Sequence, residues 1–436
     1  LLVGAVAFVL VVRECPSTSH EPIERLVGAN PLLPAPDERF VPTLNFSTAS
    51  GWPDGKVPAA PAGFIVTRYA AGLDHPRWLY VLPNLDVLVA EASTIPREPK
   101  SIHDRAQFSY QRRSGEMKPS ANRISLLRRR GGGDAGARSV DAPAPFLSGL
   151  HQPFGMALAG SKLYIADTDA LLSFDYAVGT SHVDSAPQTL LALPAGGYNN
   201  HWTRNLIANR AGTKLYVTVG SGSDHAEDGL DQEAQRADIL ELNPDGSEVR
   251  VFASGIRNPV GLAWAPGAET LWTVVNERDM LGNDLAPDYL TRVVDGGFYG
   301  WPYSYWGGHL DPRVRPQRAD LVARAIVPDY ALGAHVAALG LVFYESDRFP
   351  SRYRGGAFIA EHGSWNRKPY AGYKVIFVPF RDGRPAGPPE DFLTGFMPAE
   401  SPGTTYGRPV GLAVDGSGAL LVADDVGNCV WRVGAP

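Results

Sequence analysis

Four stretches of the chain hold side chains able to do chemistry, and each lies against an apolar run that reads as a strand. In GGYNNHWTRNL, residues 196–206, His201 follows a Gly/Asn turn and precedes such a run. An imidazole placed there can take a proton near neutral pH; a hydrogen-bonded loop histidine is the competing reading. In SGIRNPVGLAW, residues 254–264, Arg257 and Asn258 hold the comparable place. A guanidinium there offers a fixed fork of donors to a carboxylate or a developing oxyanion. The loop NERDMLGNDLAPDYLTRV, residues 276–293, carries Glu277, Asp279, Asp284 and Asp288. Hard cations take oxygen donors of this kind, although the spacing is not that of an EF-hand. The C-terminal half adds His335 in GAHVAALGL, EHGSWNR at 361–367, and Arg408 in YGRPVGL. Converging on one mouth, these His, Asn and Arg side chains would suit a small planar polyanion, whose identity the residues leave open.

Something must bring such distant segments together. Beyond residue 60 one pattern recurs six times, as HPRWLYVLPNLDVLVAEA from His75, QPFGMALAGSKLYIADTD from Gln152, and TRNLIANRAGTKLYVTVGS from Thr203. It returns as NPVGLAWAPGAETLWTVVNE from Asn258, AALGLVFYESDRFPSRYRGGAFIAEHG from Ala337, and RPVGLAVDGSGALLVADD from Arg408. Each copy is two short alternating runs around a turn, the sequence form of a β-hairpin. A hairpin with one apolar face cannot stand alone, and radial stacking buries those faces against each other. The pattern predicts an all-β fold, a six-bladed β-propeller of four-stranded antiparallel blades. Ring closure would borrow a strand from PAGFIVTRYA, residues 61–70. The copies are roughly 50 to 80 residues apart, more than the ~40–50 a blade needs, which leaves long loops on one face to build a site.

Composition agrees. The 436 residues are 44% hydrophobic and include 47 Gly and 37 Pro, as many short strands and turns require. A formal charge of −6 argues against nucleic acid as a partner, and the Arg-rich stretch 105–138 reads as a solvated loop. Residues 1–12 are uninterruptedly apolar, fewer than the ~20 a membrane span needs, so 1–15 reads as a signal-peptide remnant or membrane anchor. Residues 16–60 read as an extended linker and 61–436 as the propeller. The protein is expected to be exported, periplasmic or anchored on the outer side of the inner membrane. Cys15 and Cys429 make neither a disulfide framework nor a haem-attachment motif. Electrons leaving this protein would therefore go to an external acceptor.

The ordered motifs HWTRNL, RNPVGLAW, NERDMLGNDLAPDYLT, FYGWPYSYWG, GAHVAALGLVFY, GGAFIAEHGSWNR, GYKVIFVPF, TYGRPVGLAV and LLVADDVGNCVWRV closely resemble the sorbosone dehydrogenase branch of the soluble PQQ-dependent sugar dehydrogenases. The likeness runs from about residue 60 and is dense over 196–433. It implies pyrroloquinoline quinone (PQQ) and Ca2+ as cofactors and an aldose or sugar-derived aldehyde as substrate. His201 would be the catalytic base and Arg257 the residue stabilising the quinone oxygen. Arg204, Asn258, His335 and Arg408 would contact the cofactor. The backbone carbonyls of Asp279 and Met280 would hold calcium, and Asn200 and Gln152 would meet the substrate. The chain departs from the family at Asn200, where the soluble glucose dehydrogenases have an acidic residue, and in lacking their cofactor-contacting lysine. His362, Asn366, Arg367 or Lys374 are the candidates to replace it. Two other readings stand beside this one. A calcium-dependent lactonase would put acidic side chains and no basic cluster at the axis, and a non-catalytic carbohydrate- or protein-binding propeller would take up no quinone.

Overall fold

The computed structural model describes residues 17–39, 42–96, 98–99, 102–129 and 140–435. The segment 1–15 lies outside the described residues. Among those described, no helix is long and apolar enough to cross a membrane.

Six four-stranded antiparallel units form a closed ring. Their innermost strands are Pro76–Val81, Met156–Ala159, Leu206–Ala208, Pro259–Trp264, Ala338–Phe343 and Pro409–Val414. These open blades 1 to 6 and fall on the six sequence copies. The second strands, among them Val87–Glu91, Leu215–Val219, Leu271–Val275, Ala357–Glu361 and Leu420–Asp424, are buried along their whole length. Alternation would suit a sheet with one wet face; here each blade has a neighbour on both sides, so the runs are apolar throughout. Blade 6 is completed by Ile65–Ala71, which pairs antiparallel with Cys429–Gly434. That is the closing strand the sequence predicts.

The repeated glycine of the inner strands has a steric cause. A Cβ at Gly261 would sit 2.7 Å from Leu341 Cβ, one at Gly340 2.0 Å from the Val410 carbonyl, and one at Gly411 2.6 Å from the Arg77 carbonyl. Strands nearest the axis crowd their neighbours' backbones, and only glycine leaves the room. Just ahead of these glycines the ladders shift register, between Pro259 and Leu262, Ala338 and Gly340, and Pro409 and Leu412. A bulge there turns the preceding side chains toward the axial mouth.

Two segments depart from the sequence reading. Residues Ile102–Arg113 form a helix rather than a loop; the run has neither Gly nor Pro, and Phe108 is buried. The stretch read as a linker packs on the propeller. Val27–Gly28 adds to the edge of blade 4, Thr48–Ala49 pairs with Thr404–Thr405, and Trp52 donates to Asp424 at 2.7 Å.

Candidate active site

Inner strands begin, and second strands end, at the same end of the ring. Residues just before an inner strand therefore gather there, which collects Gln152, His201, Arg257, Asn258, His335 and Arg408 from five blades. Long loops between second and third strands of blades 1, 3, 4 and 5 rise over this end and bring Glu116, Asp224, Asp279 and Trp365. Buried carboxylates tie the turns down: Asp167 accepts the His151 backbone N–H at 2.7 Å and Asp424 that of Arg408 at 2.8 Å.

A cavity of about 610 Å³ opens there, walled by Tyr198, Asn200, Asp224, Arg257, Asp279 and Trp365. Trp365 stacks on Phe46 of the N-terminal segment at 5.2 Å, and Phe46 stacks on Tyr110 of the helix at 4.9 Å. His201, 9% exposed, does not itself line the cavity; its chain neighbour Asn200 does. Its Nδ1–H donates to the Ser221 carbonyl at 2.8 Å, with the Ser221 hydroxyl 3.0 Å away and itself donating to the Ser223 carbonyl. With Nδ1 protonated by that bond, the lone pair is on Nε2. Burial, and then the Arg257 charge, hold the imidazole well below its ordinary pKa. It is neutral at pH 7 and so able to accept a proton.

Arg257 is a cation in a cage of oxygens. It donates to the Glu277 carbonyl at 2.7 Å, the Asn276 carbonyl at 3.1 Å and the Asp224 carboxylate at 2.7 Å, with Asp279 at 3.6 Å. Burial alone would raise the Asp224 carboxyl; Arg257, His225 and Arg313 around it hold it far below the carboxylate range. Next to Arg257, Asn258 is 5% exposed and its buried Oδ1 has no hydrogen-bond partner. Gly220 makes this arrangement possible, since a Cβ there would meet Asn258 Oδ1 at 2.5 Å and His201 Cβ at 2.7 Å.

The other expected residues divide into those that support the site and those placed elsewhere. His335 has both ring nitrogens on acceptors, Asp279 Oδ1 at 3.1 Å and the Gly282 carbonyl at 2.8 Å. Burial opposes its charge, but the Asp279 carboxylate and Gly282 carbonyl carry its pKa upward, and it braces the 279–282 loop as a cation. Asn366 accepts the Met280 N–H at 2.8 Å and donates to the Thr43 carbonyl at 2.7 Å, bracing the same loop. Arg204 spends its donors on the carbonyls of His201, Thr203 and Pro194. Gln152 donates to the Ser93 carbonyl at 2.8 Å and does not line the cavity. His362 bonds Asp425 at 2.8 Å. Arg367 holds Asn283 and Asp284, and Lys374 pairs with Asp391 at 2.6 Å. Those last two line a second cavity, about 720 Å³, against the N-terminal segment. Arg408 stands at the right end of the ring but pairs with Glu116.

The residues fit a planar polycarboxylate only in part, because the cavity that Arg257 lines is also walled by Glu227, Asp228 and Glu233. His201 and the unpartnered Asn258 Oδ1 lie buried behind its wall, and Arg408, outside its lining, already holds a carboxylate of the chain itself. Calcium fits less well. The Asp279 carbonyl expected to bind it accepts Arg313 Nη1–H at 2.9 Å, and Asp224 and Asp279 are balanced by Arg257 and Arg313. Among the described residues no group of three or more His, Cys, Asp or Glu could hold a metal ion. Sequence reasoning missed Asp224, Arg313, Glu116 and Trp365. Trp365 was within a quoted motif; the other three sit in loops whose paths no local pattern reveals.

The comparisons with known proteins bear on the family and the fold. The family model for glucose/sorbosone dehydrogenase matches residues 168–363, and a model described as TrAA12-like matches 317–435. A protein of Borreliella burgdorferi, itself uncharacterised, is 30% identical over 298 residues, covering 65% of this chain and 76% of that one. The aldose sugar dehydrogenase YliI of Escherichia coli is 26% identical over 171 residues, 36% of this chain and 44% of its own length. The holo form of the pyranose dehydrogenase PQQ domain from Coprinopsis cinerea superposes with a TM-score of 0.67 at 21% identity, covering 88% of this chain and 98% of that one. The chain belongs to the glucose/sorbosone dehydrogenase family. The match spans less than half the length of YliI.

Proposed function

We propose that the chain is a PQQ-dependent dehydrogenase that oxidises an aldose or sugar-derived aldehyde and hands the electrons to an external acceptor. One observation carries this reading: a buried, neutral histidine, its tautomer fixed by Ser221, stands beside Arg257 and the unpartnered Asn258 Oδ1 at the mouth of a family propeller. When bound, the quinone supplies a two-electron acceptor carbonyl.

His201 Nε2 takes the proton of the substrate hydroxyl, the role for which its protonation state suits it. Arg257 presents fixed positive charge toward that end of the cavity, pre-organised by four oxygens rather than free to reorient. Asn258 offers a carboxamide oxygen with no competing partner. Arg408, paired with Glu116 in the structure, would hold a carboxylate of the cofactor in place of Glu116. Asn200 and Tyr198, on the cavity wall, meet the sugar, and Trp365 offers it an apolar ring face. Calcium has no step in this reading.

Reconstitution tests it. Purified protein is given PQQ, and dye reduction is followed across a panel of aldoses and aldehydes, with His201→Ala as control. Turnover in the wild type, and its loss in a variant that still takes up quinone, is the expected result. Failure of the wild type to take up quinone removes the dehydrogenase reading and leaves a binding propeller.

A further inference from the structure

We infer that Arg313 brings to the Asp279 carbonyl the positive charge that a calcium ion would otherwise bring, so that quinone binding by this chain is independent of calcium. The inference rests on the quinoprotein reading above. Arg313 comes from the long insertion between the third strand of blade 4, Pro287–Arg292, and its outer strand, Tyr330–Ala334. Its Nη1 donates to the Asp279 carbonyl at 2.9 Å and lies 3.3 Å from Asp224 Oδ2. Its Nε and Nη2 grip Asp311 at 2.9 and 2.7 Å. Asp311 is fully buried and is also held by Arg278 at 3.1 Å, so the guanidinium is anchored from behind.

The surroundings favour this cation over a metal. Calcium takes six to eight oxygens, and one placed on the Asp279 carbonyl would stand within about 5 Å of the guanidinium, the sum of the two bond lengths. Two positive charges at that range repel, and Asp224 and Asp279, the carboxylates in contact with this corner, are engaged. Asp224 receives Arg257, Arg313, His225 and the Asp279 N–H. Asp279 receives His335 and faces Arg257. A guanidinium keeps its charge at all working pH values and cannot be removed by a chelator. It supplies a fixed field to an anionic ligand without a metal's exchangeable positions.

The experiment is an equilibrium titration of EDTA-treated protein with PQQ, read by quinone absorbance, without and then with excess calcium. For the wild type we expect dissociation constants within about twofold of each other. Arg313→Gln, checked by circular dichroism for a native melt, should bind at least about tenfold more weakly in EDTA, about 1.4 kcal/mol, and recover part of the loss when calcium is added. Arg313→Lys should fall between the two. A wild type that binds quinone only with calcium overturns the inference and leaves the quinoprotein reading intact. So does an Arg313→Gln protein that binds as tightly as wild type in EDTA. A wild type that takes up no quinone under either condition fells both. If Arg313→Gln does not fold, the wild-type titration alone decides.

Discussion

Arg408 and Glu116, from blades at opposite ends of the sequence, form an ion pair at the axial mouth. The Arg408 side chain is 1% exposed, lies 5.1 Å from the Tyr373 ring, and spends other donors on the carbonyls of His362 and Gly363. Glu116 follows the helix Ile102–Arg113 and is the less buried partner. A carboxylate of the chain thus sits where a carboxylate of the cofactor is expected. Glu116→Gln should lower the melting temperature of the apo-protein, because buried Arg408 loses its direct carboxylate partner and keeps only the more distant field of Asp425, a change of at most about 3–5 kcal/mol. It should also tighten PQQ binding by about tenfold and enlarge the melting shift that quinone produces. Differential scanning fluorimetry with and without quinone measures both effects; an unchanged shift would disprove the competition.

His201→Gln should cut kcat by about 10²- to 10⁴-fold while quinone uptake is kept, as loss of a general base requires. The pH profile carries a second expectation. Burial and Arg257 depress the imidazole, so kcat/KM should stay level as pH falls through 6.5 rather than halve there. Stability has the matching sign. Below about 6.5 the unfolded imidazole takes a proton that the folded one refuses, so the native state weakens as pH falls. His75, depressed to about 3 by burial, acts in the same direction.

Gly220→Ala tests the packing that places the base. The added methyl would press on the Asn258 amide and His201 Cβ, and both would have to shift. Turnover should fall up to about 10²-fold, the effect of roughly 1 Å of misplacement, with a smaller change in melting temperature. Steady-state kinetics beside a thermal melt separate the two outcomes.

Glu361 offers a pH-dependent check on the second cavity. It pairs across the sheet with Lys374, its Oε2 is buried without a partner, and burial raises its pKa to about 8. Its folded pKa exceeds the unfolded value of about 4.5, so its contribution is complete below 4.5 and is lost as pH rises through 8. Glu361→Gln should therefore gain melting temperature over wild type progressively between pH 5 and 8. A difference that does not vary with pH would contradict a protonated Glu361 in the folded chain.

The ring was legible in the sequence because its cause is local and repeated. Glycines such as Gly261, Gly340 and Gly411 recur wherever an inner strand crowds the next backbone, and the apolar runs recur wherever two blades meet. The positions of His201, Arg257 and Arg408 at one end followed from their place ahead of those strands. What could not be read was which partner each would find. Glu116, Asp224 and Arg313 lie in long loops whose courses are set by packing over the mouth, and nothing in their flanking residues announces it. His335 and Asn366 were seen as ligand contacts because they stand beside the right strands; their bonds to the 279–282 loop appear only in three dimensions. The helix Ile102–Arg113 was hidden by its arginines, which resemble a solvated run until Phe108 finds its pocket.

The pairing of Ile65–Ala71 with Cys429–Gly434 has a consequence for biogenesis. A nascent chain halted before Cys429 is an open arc with two bare sheet edges, each a template for aggregation. The earliest strand of the wheel must idle until its last neighbour leaves the ribosome.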